Sequence, residues 1–193
     1  IPPSSSWHTA SKPSGDPEKY GVNSEFYRVH RFEDPFFVES LNNVLKQTKL
    51  AVGSRILILG VNRGDEIAGL KQLISDTVRG TLDWVGIDHC KSAIDEAKRR
   101  FSDRNVCLIC QSIEHLGDLN LGRFNLVIAI NTLHSPTVDG QAICRQIVKH
   151  HLEADAALVF GFPNCRYHGP TIRFGARAPN YQYPEYSVLF RQV

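Results

Sequence analysis

Two glycines directly after an apolar run give this chain its clearest chemical signal. Gly60 and Gly64 follow the run at residues 56–59 in the segment ILILGVNRGD. Glycine permits positive φ and allows a ligand to lie against the backbone. Asp65 and Glu66 come next, which suits the positive end of a helix dipole. The pattern predicts a buried strand, a ligand-binding turn and the start of a helix.

An acidic residue ends the next apolar run. Residues 82–87 are predicted to form a strand, and Asp88 falls at its carboxyl end. In open α/β sheets the ligand crevice lies outside those ends, so Asp88 could accept hydrogen bonds from ribose hydroxyls. The alternative is that Asp88 caps the following helix, which is predicted to begin at Lys91. A nicotinamide-binding turn would read G-x-G-x-x-G, whereas this turn has Asn62 where a middle glycine could stand, which disfavours a dinucleotide.

Strands and helices are predicted to alternate along most of the chain. Residues 33–48 form an amphipathic helix with one apolar stripe, made of Phe37, Leu41, Val44 and Leu45. Such alternation is typical of an α/β fold with a doubly wound, mostly parallel sheet. The further predicted helices cover 64–75, 91–101 and 139–151, and the further strands cover 106–110, 124–130 and 156–162.

These features together resemble the class I methyltransferases that use S-adenosylmethionine, over residues 51–162. The resemblance implies a Rossmann-like sheet in the order 3-2-1-4-5, with S-adenosylmethionine as cofactor and S-adenosylhomocysteine as product. It further implies that the turn lies under the amino-acid part of the cofactor, that Asp88 holds the ribose, and that residues after the third strand flank the adenine. The cofactor-binding residues implied in this way are Gly60, Asn62, Gly64, Asp88, Ser112, Ile113 and Asn131.

Four positions depart from the pattern of that family. Ile58 stands where an acid often precedes the first glycine, and Asn62 replaces the middle glycine. Ser112 replaces the acid beside the adenine, and Asn125 replaces the usual Asp that opens the fourth strand.

The residues after the fourth strand are the catalytic candidates. The segment FNLVIAINTLH brings Asn131 and His134 to the carboxyl end of the sheet. Histidine can act as a general base near neutral pH, and Asn131 would line the site. The other interpretation of His134 is a loop histidine beside Pro136.

The segment 163–186 combines arginines with tyrosines. Arginine suits bidentate recognition of carboxylate or phosphate, and tyrosine supplies an amphipathic wall. We expect a substrate loop in which Arg166, Tyr167, Arg173 and Arg177 contact the acceptor. The alternative is an ordinary surface connection with solvated arginines.

Composition indicates one enzyme-sized domain. The 193 residues are 42% hydrophobic, and we expect an N-terminal arm at 1–24, flexible or draped over a single domain at 25–193. We expect an N-terminal helical arm before the sheet. The resemblance implies a final helix and an antiparallel hairpin after the fifth strand, and the hairpin is expected to be incomplete, since 187–193 could begin only one such element. The chain begins at Ile1 and contains no Met, so we expect the sequence to be incomplete.

Charge and cysteine content bear on partners and compartment. A net charge of +2 gives no indication of a nucleic-acid partner without excluding one, and no apolar run reaches the roughly 18 residues of a membrane span. Five cysteines suggest a reduced, cytoplasmic setting. Cys107 and Cys110 are interpreted as buried structural thiols and not as a metal site, and the run 98–100 as a solvated helix face.

The sequence therefore predicts an S-adenosylmethionine-dependent methyltransferase that acts on a small molecule or on an exposed polar group of a larger one. The alternative is a catalytically inactive methyltransferase-like domain that binds a ligand or a protein partner. A nicotinamide oxidoreductase is the third interpretation. Neither the acceptor nor the oligomeric state follows from the sequence.

Overall fold

A mostly parallel sheet is the centre of the fold. The computed structural model describes residues 18–24, 27, 30–133, 138–163, 166–168, 171–174 and 186–192. The strands in these ranges are β1 (Arg55–Leu59), β2 (Asp83–Asp88), β3 (Val106–Cys110), β4 (Phe124–Ile130), β5 (Leu152–Pro163), β6 (Arg166–His168), β7 (Thr171–Phe174) and β8 (Tyr186–Gln192). Six of them form one sheet in the order β3-β2-β1-β4-β5-β8. Strands β1 to β5 are parallel, and β8 pairs antiparallel with β5.

One helix precedes the sheet, and helices or a 3-10 segment connect the successive parallel strands. The helices are α1 (Pro35–Gln47), α2 (Asp65–Leu73), α3 (Asp76–Arg79), α4 (Lys91–Arg100) and α5 (Gly140–Gln146), with 3-10 segments at Arg31–Glu33 and Ile113–Leu119. None of the helices in the described part of the chain is long and apolar enough to cross a bilayer. The predicted fold class and the strand order 3-2-1-4-5 are confirmed.

Strand β1 shows why its sequence is uniformly apolar. Ile56 and Ile58 point into a core that α1, α2 and α4 cover, whereas Leu57 and Leu59 point into a second core that α5 covers. Both faces of the sheet are therefore buried, so the alternation of a half-exposed strand is absent.

The helix predicted over 33–48 forms as α1. Asp34 caps its first turn by accepting hydrogen bonds from two backbone amides, and Pro35 occupies the first helical position, where a missing N–H costs nothing. Phe37, Leu41 and Val44 are buried against the sheet. The predicted apolar stripe is thus the face that packs.

Strand β5 begins earlier than predicted. The helix predicted over 139–151 forms as α5 up to Gln146 and continues as one π-helical turn at Ile147–His151, which leads into the strand. The Arg123 side chain bonds to the end of this turn. Its Nη1 donates to the carbonyl of Leu152 at 2.5 Å and its Nη2 to that of Lys149 at 3.2 Å. These contacts are distant in sequence, so helical periodicity could not reveal them.

The interpretation of Cys107 and Cys110 as buried thiols is wrong. Both residues are exposed. Strand β3 lies at the edge of the sheet, so its flanks lack the cover that the central strands have. Within the described ranges, no cluster of three or more His, Cys, Asp or Glu residues could hold a metal ion.

The expected loop at 163–186 contains regular structure. Strands β6 and β7 pair antiparallel, with His168 opposite Thr171. Gly169 and Pro170 separate them in sequence, a dipeptide typical of turns. Strand β8 then supplies one antiparallel partner for β5. This matches the expectation that the residues at 187–193 form one strand.

Asn125 joins the start of β4 to the start of β1 through its side chain. Its Oδ1 accepts a hydrogen bond from the backbone N–H of Arg55 at 2.9 Å, which fixes the start of β1 against β4. Asn125→Ala leaves that amide without its acceptor, so we expect the free energy of unfolding to fall by about 1 kcal/mol. Asn125→Asp keeps an acceptor at the same place and is the matched control. Urea unfolding measures both variants, and equal losses would show that the hydrogen bond is not the cause.

Candidate functional site

Hydrogen bonds tie the strand ends together at the carboxyl edge of the sheet. The amides of Gly60 and Val61 donate to the carbonyl of Ile87, at 2.8 and 3.1 Å. The Gln111 amide donates to the carbonyl of Asp88 at 2.9 Å, and the Asn131 amide to that of Gly161 at 2.8 Å. In addition, Thr132 Oγ1 lies 3.0 Å from the carbonyl oxygen of Leu59. The ends of all five parallel strands are therefore held in one edge, where an α/β sheet binds ligands.

Asp88 lies at the end of β2, between the ends of β3 and β1. Its Oδ2 accepts from the amide of Asn62 and its Oδ1 from the amide of Cys90, each at 2.9 Å. Cys90 immediately precedes α4. Asp88 does not cap α4 in the strict sense, because its partner is the amide of the N-cap residue itself, and the side chain of that residue makes no capping hydrogen bond. A carboxylate offers about four acceptor positions, so about two remain for further donors.

The glycine turn has the expected positive φ angles, and close contacts with other parts of the chain also require its glycines. Gly60, Asn62 and Gly64 all have positive φ, at 71°, 46° and 84°. A Cβ on Gly60 would lie 2.2 Å from Oγ1 of Thr132, and one on Gly64 would lie 2.5 Å from the ring of Phe101. The absence of side chains at Gly60 and Gly64 thus leaves space for the side chains of Thr132 and Phe101. Asparagine tolerates the left-handed conformation, which explains how Asn62 can replace a glycine.

The two residues predicted beside the adenine follow β3. The Ser112 hydroxyl accepts from the amide of Glu114 at 3.3 Å and so caps the short 3-10 segment. Ile113 is buried in the core on the α5 side of the sheet. Both residues lie next to Gln111, whose amide bonds the end of β2.

Asn131 has an unpaired acceptor. Its φ is 55°, and its side-chain Oδ1 is buried without a hydrogen-bond partner among the described residues. A buried acceptor without a donor costs free energy, so this oxygen is an unusual feature of the strand end. The other catalytic candidate, His134, lies outside the described residues, and so does Arg177 of the predicted substrate segment.

Three of the four predicted acceptor-binding residues lie on described strands. Arg166 and Tyr167 lie on β6 and Arg173 on β7, so the three belong to one antiparallel hairpin that directly follows β5.

Sequence reasoning missed Arg63, a buried cation inside the turn. It is 6% exposed, its Nε donates to Asp65 at 2.8 Å, and its Nη2 lies 2.6 Å from Nδ1 of His30. The guanidinium also stacks over the ring of Tyr27, 4.2 Å from its centre. The only signal in the sequence is a charged residue between Asn62 and Gly64, where the turn must be compact.

The run 98–100 is exposed, as predicted for a solvated helix face, but Arg100 also bonds to the glycine turn. Its Nη1 donates to Asp65 at 2.6 Å and to the carbonyl of Arg63 at 2.8 Å, so α4 reaches the glycine turn. Burial alone would raise the pKa of Asp65, but the hydrogen bonds from Arg100 and Arg63 outweigh it and lower that pKa. Asp65 is therefore an ionised link between two arginines.

Glu66 has the opposite protonation behaviour. It keeps part of its surface, yet desolvation, with Asp65 and Asp88 nearby, raises the pKa of Glu66 to about 8. A neutral carboxyl group in the first turn of α2 can donate a hydrogen bond, which an ionised one cannot.

No family model and no curated protein sequence matches this chain. A methyltransferase from Thiobacillus denitrificans in complex with S-adenosyl-L-homocysteine is similar in structure, with a TM-score of 0.55 and 19% identity over 79% of this chain and 57% of that chain. A similar enzyme from Geobacter sulfurreducens, also with S-adenosyl-L-homocysteine, has a TM-score of 0.52 and 18% identity over 75% and 54% of the two chains.

A third neighbour is the plantazolicin methyltransferase BpumL in complex with a monoazolic desmethylPZN analogue and SAH. The TM-score is 0.56, with 15% identity over 72% of this chain and 50% of that chain. The chain thus spans little more than half the length of these neighbours. It has the Rossmann-like fold of class I S-adenosylmethionine-dependent methyltransferases.

The raised pKa of Glu66 predicts a pH-dependent stability. Between pH 5 and 8 the folded chain keeps the Glu66 proton while the unfolded chain, with an ordinary pKa near 4.5, has lost it. Stability therefore falls as the pH rises through this window. Glu66→Gln removes the titration, so we expect the variant to gain on the order of 2 kcal/mol over the parent between pH 5 and pH 8. Urea unfolding at both pH values measures the difference.

Glu39→Gln, on the exposed side of α1, is the matched control and should follow the parent at both pH values. A difference between Glu66→Gln and the parent that stays constant with pH would contradict the prediction.

Proposed function

We propose that this chain is an S-adenosylmethionine-dependent methyltransferase whose acceptor is a small molecule or an exposed polar group of a larger one. The observation that carries the proposal is Asp88, which ends β2 directly beside the glycine turn and keeps two acceptor positions. The shared fold supports it, as do the neighbours solved with S-adenosylhomocysteine.

We assign the cofactor to the carboxyl edge of the sheet. In this proposal Asp88 accepts from the ribose hydroxyls, and Ser112 and Ile113 flank the adenine. The glycine turn lies under the amino-acid part, and the buried Oδ1 of Asn131 accepts a donor from it. Because Ile58 is buried in the core, it cannot replace the acid that the family often has there. The turn residues in this assignment are Gly60, Asn62 and Gly64.

In methyl transfer the main task of the protein is to position the acceptor relative to the methyl group. When bound, the cofactor supplies a methyl group on a positively charged sulfur, which is activated for in-line displacement. The chain must hold the acceptor in line and remove its proton as the new bond forms. We assign proton removal to His134, three residues after Asn131, and orientation of the reacting groups to Asn131.

We assign acceptor recognition to the β6–β7 hairpin and the residues after it. Arg166, Tyr167 and Arg173 lie on the hairpin strands, and Arg177 follows in sequence. Guanidinium groups pair with carboxylates or phosphates through two parallel hydrogen bonds. An anionic acceptor is the class that this composition favours.

Cofactor binding gives the direct test. We expect isothermal titration calorimetry to detect binding of S-adenosylhomocysteine and none of NADH. Asp88→Asn should weaken binding by roughly 1–3 kcal/mol, because a charge-assisted acceptor is lost. Asp83→Asn, at the opposite end of the same strand, is the control and should bind like the parent. Preference for NADH would instead favour an oxidoreductase.

The hairpin arginines give a second test. Replacing Arg166, Arg173 and Arg177 by Gln should leave the affinity for S-adenosylhomocysteine nearly unchanged. It should lower kcat/KM for any acceptor found by screening at least tenfold, since an anionic group loses its paired contacts. Arg99, Arg104 and Arg145 are exposed arginines elsewhere on the domain, and their triple Gln variant is the control. Equal activity of both triple variants would show that the hairpin does not bind the acceptor.

A further inference from the structure

Residues 18–22 form a strap that is docked on the amino end of α4. The Glu18 carboxylate accepts a hydrogen bond from the Ser92 amide at 3.2 Å and another from the Ser92 hydroxyl. The amide of Val22 donates to that hydroxyl at 3.2 Å. The hydrogen bonds from Ser92 lower the pKa of Glu18, so the carboxylate is ionised at neutral pH. Glu18 and Ser92 therefore form a charge-assisted latch between the strap and the helix.

The strap also contacts the surroundings of Asp88. Three groups approach the Asp88 carboxylate: the amides of Asn62 and Cys90, and Nδ1 of His89 at 3.7 Å. Each of these residues is also in contact with the strap. Asn62 Nδ2 donates to the carbonyl of Tyr20 at 3.0 Å. The ring of His89 meets the ring of Tyr20 edge to face at 6.3 Å.

The third contact involves the thiol of Cys90. Its Sγ lies 3.4 Å from Oε2 of Glu18, and the residue is completely buried. Every one of the three groups around the Asp88 carboxylate thus belongs to a residue that the docked strap also holds.

The consequence concerns access to Asp88. The residue is only 6% exposed although its carboxylate keeps two acceptor positions. We propose that the strap is a gate over the ribose-binding carboxylate, held shut by the Glu18–Ser92 latch, and that it must open before the cofactor can enter. The inference rests on the proposed function, since it takes Asp88 as the ribose ligand.

Gly21 explains how the strap fits so closely. Its amide donates to the carbonyl of Glu18 at 2.8 Å, which makes the strap a tight turn. A Cβ on Gly21 would lie 2.4 Å from both Oε2 of Glu18 and Oγ of Ser92. The methyl group in Gly21→Ala would therefore displace the side chains of the latch. This substitution should open the gate without changing the residue type of Glu18 or Ser92.

The buried thiol of Cys90 reports on the gate without any cofactor. In a background with Cys107, Cys110, Cys144 and Cys165 replaced by Ser, we expect a thiol reagent to label Cys90 about three- to tenfold faster in Glu18→Gln than in the parent, because the charged acceptor of the latch is lost. Gly21→Ala should act in the same direction. Asp95→Asn removes a carboxylate that pairs with Lys91 on the same helix, at 2.5 Å, and should label like the parent. Unchanged labelling in both latch variants would overturn the gate.

The association rate of S-adenosylhomocysteine, measured by surface plasmon resonance on the same variants, tests the link to the site. Glu18→Gln and Gly21→Ala should bind the ligand several-fold faster than the parent and the Asp95→Asn control. If calorimetry shows that the parent binds no S-adenosylhomocysteine, the proposed function fails, and labelling still reports on the latch. If the parent binds and the latch variants associate at its rate, the gate is wrong and the proposed function stands.

Discussion

The position of the buried Asp88 carboxylate constrains everything at the carboxyl edge of the sheet. A buried carboxylate must be satisfied by hydrogen bonds, and here the donors are two backbone amides. One belongs to Asn62 in the glycine turn and the other to Cys90 at the start of α4. A single side chain thus fixes the turn after β1 relative to the helix after β2.

A second constraint is the number of negative charges that the turn can hold. Asp65, Glu66 and Asp88 crowd around it, and the arginines bond directly to only one of them, Asp65. Ionising Glu66 in that field would add a third charge to a desolvated region, so its proton stays until about pH 8. Arg63 and Arg100 in turn connect the turn to the N-terminal segment and to α4, and they stabilise a loop that is rich in left-handed residues.

Most of the fold could be predicted from local patterns. The apolar run at 56–59 indicates a strand covered on both faces, and the stripe of Phe37, Leu41 and Val44 indicates the face of α1 that packs. The strand order followed from the resemblance and agrees with the sheet. The predictions failed where distant contacts decide the outcome. Strand β5 begins before its predicted start, at Leu152, whose carbonyl accepts from Arg123, and the edge position of β3 exposes Cys107; neither contact leaves a periodic signal.

The sequence by itself determined the residue types at the site: two glycines in a turn, an acid after the next strand, and an asparagine after the fourth. Local sequence patterns predict these residue types because each of them comes directly after the end of an apolar strand. Only the tertiary structure decided what they contact. Gly60 faces Thr132, Asp88 accepts hydrogen bonds from two amides, and the strap from residue 18 onward contacts Asn62, which supplies one of those amides. Glu18 and Ser92 are 74 positions apart, so no local pattern links them, and only packing of the folded chain brings them together.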